Sequence, residues 1–160
     1  MLRLRLFYFD FIYIFNTMPS MRTFLPIFVF LLLPLSSYAE TAPVYATTGY
    51  IFDGDTFAAQ VKLDNGALVS VRIRILGIDS PEIHGECESE ITAANKARDK
   101  LGKLLPENSI VQLSDIKDDK YLGRIDANVK LSNGQDVGKI MLQEKMARKY
   151  TGGKRQKWCD

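Results

Sequence analysis

From residue 44 onward, apolar and polar positions alternate in short runs. "VYATTGYIF" and "DTFAAQVKL" are rich in β-branched and aromatic residues and each has the length of one strand. Asp64-Asn65-Gly66, which follows, is a hairpin signal, because Asn-Gly accepts the positive backbone angles of a tight turn. The return strand is the clearest. Val69, Val71, Ile73 and Ile75 alternate with Ser70, Arg72 and Arg74, which places both arginines on the face opposite the aliphatic set. The period then changes: from about Ser89 to Leu105, the positions Ile91, Ala94, Ala97, Leu101 and Leu104 recur every three or four residues, the apolar stripe of a helix, and Pro106 and Asn108 end it. "SIVQLSDI" and "RIDANVKLSNG" predict two more strands, with Asn133-Gly134 as a turn. A second helix is predicted from Asp136 to about Arg148, carrying Val137, Ile140 and Met141. Five strands, with a helix after the third and another after the fifth, predict an α+β, mainly β domain, for which the five-stranded OB-fold barrel is the nearest common architecture.

The first 39 residues follow neither period. "MRTFLPIFVFLLLPLSSYAE" has a basic residue (Arg22), an apolar run from about Phe24 to Leu35, and small residues Ser37 and Ala39 placed as a signal peptidase site requires. We read residues 1–39 as a signal peptide rather than a membrane anchor, since Pro34 and the small-residue exit favour cleavage, and expect a secreted or periplasmic protein with no stable membrane association afterwards. Met18 and Met21 are better starts for such a signal, so residues 1–17 are read as an over-extended gene start. The domain itself is expected at 40–152, with a C-terminal tail at 153–160.

Setting residues 1–39 aside removes Arg3, Arg5, Arg22 and Asp10 and leaves 18 basic and 18 acidic side chains. Bulk charge therefore announces no nucleic-acid partner. The segment Lys145–Lys157 holds six basic residues and no acidic one, with Tyr150 and Trp158 beside it, and a solvated basic tail accounts for it as well as a binding element does. Two cysteines, Cys87 and Cys159, in an exported chain predict a disulfide tying the tail to the loop after Glu82, with two free buried thiols as the alternative. Such a bond stabilises by about 4 kcal/mol in the chain-entropy model. No Cys/His cluster suggests zinc.

Three stretches carry candidate chemistry. "FDGDTF" is an ordinary turn composition, but Asp53 and Asp55 also put two carboxylates at one bend, suited to Ca²⁺ or Mg²⁺. "ILGIDSPEIHGEC" reads locally as a helix start at Ser80-Pro81, yet Gly85 follows Glu82 and the apolar stripe begins only near Ile91, so Pro81 is better read as fixing Glu82 relative to Asp79. "DDKYLGRI" places Arg124 where a strand resumes. Together Asp55, Asp79, Glu82, Arg74 and Arg124 suit phosphodiester hydrolysis: a divalent ion on two aspartates, a glutamate on the attacking water, and arginines on the phosphate. His84, the only histidine, reads as an exposed loop residue, and Glu86, Glu88 and Glu90 as a solvated face.

In these stretches the chain resembles the staphylococcal nuclease (thermonuclease) family. Asp53-Gly54-Asp55-Thr56, Arg74 through Glu82, and Asp119-Lys120-Tyr121-Leu122-Gly123-Arg124 occur in the family's order, over about Val44 to Arg148. The resemblance implies an OB-fold barrel and an exported Ca²⁺-dependent endonuclease acting on DNA and RNA with little sequence specificity, leaving 3′-phosphate ends. It implies Asp55, Asp79 and the Ser80 backbone carbonyl as calcium ligands (Mg²⁺ fits the carboxylates as well), with Asp53 behind them. Glu82 would be the general base, and Arg74 and Arg124 would stabilise the transition state. Lys120, Tyr121 and Tyr150 would contact substrate, with Trp158 a further stacking candidate. A monomer is expected.

The chain departs from the family in three places. Leu122 interrupts Tyr-Gly-Arg, either as a bulge that leaves Arg124 aimed or as an insertion that misplaces it. "GGKRQKWCD" stands where the best-known member has a third helix, and a Cys87–Cys159 bond would take over part of its anchoring. The stacking tyrosines have no certain match. The rivals are a catalytically inactive nucleic-acid-binding domain of the same fold, and a small membrane-anchored structural domain.

Overall fold

A computed structural model describes residues 43–159. The signal peptide expected at 1–39 and the displaced start at 1–17 lie outside the described residues. The elements are β1 (Val44–Ile51), β2 (Thr56–Lys62), β3 (Leu68–Ile75), β4 (Ile78–Asp79), α1 (Glu88–Leu104), β5 (Ile110–Asp118), β6 (Arg124–Leu131), α2 (Val137–Gln143) and β7 (Arg148–Lys149).

Five strands close into a barrel in the order β1-β2-β3-β6-β5. All neighbours run antiparallel except β3 and β6, which close it in parallel, with Arg72 opposite Arg124 and Arg74 opposite Asp126. Closure satisfies every barrel edge, so short strands suffice. The alternating aliphatics fill the interior: Phe57, Ile73, Ile75, Leu113 and Val129 are essentially inaccessible, joined by Ala97 and Leu101 of α1 and Met141 of α2. The patterning predicts this five-stranded barrel with two helices; the parallel β3–β6 closure that makes it mixed is the structure's addition. Both Asn-Gly turns form, with Gly66 and Gly134 at φ 83°.

Four details differ from the sequence reading. Leu68 and Val69 are exposed, because β6 pairs with β3 only from Arg72 onward. Ile91 at the start of the helical stripe is also exposed, whereas Glu90 is buried. The second helix stops at Gln143 rather than Arg148: Lys145 adopts φ 58° and the Met146 amide turns back to the Met141 carbonyl at 2.9 Å. Arg148 and Lys149 instead form β7, antiparallel to β4. Asp79 consequently does not end the third barrel strand. It lies one turn further, after Gly77 (φ 80°), in a two-residue strand that seats the C-terminal segment against the barrel.

Candidate functional site

The β1–β2 turn supplies the first carboxylates. Asp53 accepts the Asp55 amide at 2.9 Å, closing the bend and pointing the Asp55 side chain inward. Gly54 is obligatory here: a Cβ would lie 2.6 Å from the Ala97 Cβ and 2.8 Å from the Ser80 Cβ. Asp55 is buried, accepting Thr56 Oγ1 (2.8 Å) on one oxygen and the Ser80 amide (3.0 Å) on the other. The turn after β3 brings Asp79 beside it.

Arg74, on the outward face of β3 yet buried, lies between the two acids. Its Nη2 is 3.3 Å from Asp55 Oδ2, 3.4 Å from Asp79 Oδ1 and 3.3 Å from the Ile78 carbonyl oxygen, and its guanidinium lies 5.5 Å from the centre of the Tyr150 ring. A second cation comes from the tail. Arg155 Nε lies 2.8 Å from Asp79 Oδ1, and Arg155 Nη1 hydrogen-bonds Glu82 Oε1. Around it, Tyr150 donates to the Gly153 carbonyl at 2.7 Å, Arg148 donates to the Lys157 carbonyl at 2.7 Å, and the Arg148 guanidinium covers the Trp158 ring at 3.7 Å.

The tail is held by the expected disulfide between Cys87 and Cys159, with Cα atoms 6.0 Å apart. Residues 80–87 are not a helix start. α1 begins at Glu88 with Cys87 as its N-cap, and the loop ahead of it is organised from beneath by Glu90, which accepts the Glu82 amide (3.4 Å) and the Glu86 amide (3.0 Å). Glu90 is thus no part of a solvated face; Gly85 leaves it room, since a Cβ there would meet its carboxylate at 2.5 to 2.6 Å. Glu86 and His84 are exposed on that loop, as expected.

The third stretch faces the same groove. Arg124 Nε donates to Asp119 Oδ2 at 2.9 Å, with its guanidinium 4.5 Å from the Tyr121 ring centre, and Lys120 Nζ lies 5.0 Å from the same ring. Leu122 is fully exposed and Gly123 (φ 76°) takes the turn, so the extra residue is absorbed as a bulge while Arg124 still faces the groove. The groove, about 780 Å³, is lined by Arg72, Arg74, Lys120, Arg124 and Arg155, by Tyr121, Leu122, Tyr150 and Gly152, and by Glu82, Asp118, Asp119 and Asp126.

The acids are not equivalent. Burial raises Asp53 to about 6, with the neighbouring Asp55 charge adding to it. Burial likewise raises Asp79, aided by Asp55 and opposed by Arg155 and Arg74. Asp126 is raised by burial and by Asp119. Burial works to raise Asp119 too, but hydrogen bonds from Arg124 and the Tyr121 amide outweigh it and hold Asp119 low.

This arrangement corrects the expectation of a Ca²⁺-dependent nuclease. A calcium or magnesium ion needs six or more oxygens with lone pairs free to point at it. The oxygens of Asp55 and the Oδ1 of Asp79 already accept from Thr56, Ser80, Arg74 and Arg155, and two guanidinium groups contact Asp79. Glu82, expected as general base, has its Oε1 paired with Arg155. Among the described residues, one group of three potential ligands converges closely enough for an ion, Cys87, Glu90 and Cys159, and its sulfurs are joined to each other, so they offer no thiolate. Neither Ca²⁺ nor Mg²⁺ fits this donor set, and the enzymatic reading with its metal cofactor falls with it.

Arg155, Arg72 and Glu90 were not among the expected site residues. A signal for Arg155 existed: a Cys87–Cys159 bond brings position 155, four residues from Cys159, near Glu82, five residues from Cys87. No curated protein matches the chain. A family model described as "Staphylococcal nuclease homologue" matches residues 72–158, which hold Arg74, Asp79, Glu82, Arg124 and Arg155. Since that match spans more than half of the 160 residues, the chain belongs to the staphylococcal nuclease homologue family.

Proposed function

We propose that this chain is a nucleic-acid-binding domain of the nuclease fold that holds single strands without cutting them. The observation that carries the reading is the groove, where five basic side chains converge beside Tyr121 and Tyr150. Two of its four acids are paired, Asp119 with Arg124 and Glu82 with Arg155. Guanidinium groups neutralise phosphates, and aromatic faces accept any base, which gives binding with little sequence preference. Arg124, expected to act on a transition state, serves here as a phosphate contact, with Lys120, Tyr121 and Tyr150 along the strand's path, while Arg74 stays paired with Asp55 and Asp79.

The test is fluorescence anisotropy with short labelled DNA and RNA single strands over a range of salt. Binding that weakens by roughly 50- to 100-fold between about 50 and 200 mM salt marks four or five phosphate contacts on a single strand and supports the reading. Failure to bind either strand at low salt overturns it.

A further inference from the structure

The tail does more than close the site. From Tyr150, whose amide is fixed to the Gly77 carbonyl at 2.9 Å, the chain passes through Gly152 and Gly153 (φ 100° and 86°) and runs exposed to Lys157. Its non-covalent holds over that stretch are Tyr150 on the Gly153 carbonyl, Arg155 on Asp79 and Glu82, Arg148 on the Lys157 carbonyl and the Trp158 ring, and Lys157 on Glu86 at 3.6 Å with both ends in solvent. The Lys157–Glu86 pair is open to solvent at both ends and holds little, whereas Arg155 meets a buried Asp79. The side chain of Arg155 is itself 41% exposed. Two glycines give the segment freedom to leave, and the bond to Cys87 is its principal restraint.

We propose that the Cys87–Cys159 disulfide is a latch that makes the nucleic-acid affinity of the groove depend on thiol redox state, by holding Arg155 against Asp79 and Glu82. The inference rests on the nucleic-acid-binding reading above. With the latch closed, Arg155 adds a cation to the groove and cancels charge on two acids at its edge. With it open, the cation departs, Arg74 alone faces Asp55 and Asp79, and Glu82 is left bare toward an incoming phosphate. Both changes act in one direction, toward weaker binding.

The opening step needs a dithiol reductant. One of its thiolates attacks a sulfur of the Cys87–Cys159 bond, forming a mixed disulfide; its second thiol displaces the protein sulfur. Two electrons and two protons pass to the protein, leaving two cysteine thiols, and the reductant leaves as its own disulfide. Neither cysteine is buried, so a reductant can approach.

The test compares single-stranded DNA binding by the full chain, oxidised and after reduction with a dithiol, using circular dichroism to verify that the reduced form stays folded. Reduction is expected to weaken binding by about 10-fold at low salt and to lower the slope of log affinity against log salt by about one. Because reduction also removes a covalent restraint on the fold, the second arm is Arg155→Gln with its disulfide intact, which should show the same loss and respond little to reduction. Equal affinity and slope in the folded reduced protein, or a full redox response in Arg155→Gln, overturns the latch alone. If the oxidised protein binds no strand, the binding reading itself is what fails.

Discussion

Arg74 reaches Asp55 at 3.3 Å from a position on the barrel wall where both side chains are more than nine-tenths buried, and the same Nη2 reaches Asp79 at 3.4 Å. One cation therefore lies between two buried acids that would otherwise repel each other. Breaking a buried pair from one side costs far more than the pair contributes, because the remaining charge has no water to turn to. Arg74→Ala should lower unfolding stability by about 3 to 5 kcal/mol. Urea denaturation measures it, and a loss below that of an ordinary surface substitution would mean the acids find other partners.

Asp53 provides the pH dependence. Its folded value of about 6 lies above the ordinary 3.8, so the fold disfavours the charged form. Above pH 6 the ionised group destabilises in full, and the penalty is relieved as pH falls from 6 toward 4. Asp53→Asn keeps the oxygen that accepts the Asp55 amide and removes the charge. It should stabilise by about 2 to 3 kcal/mol near neutrality, with the gain vanishing near pH 4. Thermal melts of both proteins across that range give the comparison; a gain independent of pH would contradict the assignment.

Gly54 is a packing test of the same bend. The methyl of Gly54→Ala would have to displace Ala97 of α1 or Ser80, and overpacking of this kind costs about 1 to 3 kcal/mol. Because Ser80 donates its amide to Asp55, the substitution should also disturb the Arg74 contacts, visible as shifts of the Asp55 and Ser80 amide resonances.

In the groove, Arg124→Ala removes a phosphate contact and strands Asp119, so binding should weaken for all sequences alike and the salt slope should fall by about one. Tyr121→Ala should weaken binding by about 1 to 3 kcal/mol with the slope unchanged, since stacking releases no counterions. Anisotropy titrations separate the two.

Much of this was legible in the sequence. The barrel strands follow from period two, α1 from its stripe, and both hairpins from Asn-Gly. The polar stretches led by Arg74 and Asp119 line one groove, and the Asp53 turn reaches it only through the Asp55–Arg74 contact. What the chain order hides is what closes in from far away. Arg155 lies in a basic run indistinguishable from a solvated tail until the disulfide sets its position over Asp79. Glu90 looks like one of three surface acids, yet its neighbours' unpaired amides draw it inward. The α2 boundary turned on a left-handed Lys145, which no apolar period encodes. The family's residues are present, but their role depends on what they touch, and here Asp55, Asp79 and Glu82 touch arginines.

That contact pattern is tested most directly by following a labelled single-stranded DNA on a denaturing gel while excess oxidised full-length protein holds it, with calcium and with a chelator. A strand bound yet recovered intact in both conditions is the result expected of a domain whose acids are committed to Arg74 and Arg155. Cleavage that calcium supports and the chelator abolishes would contradict it, and would mean that the ion displaces both guanidinium groups.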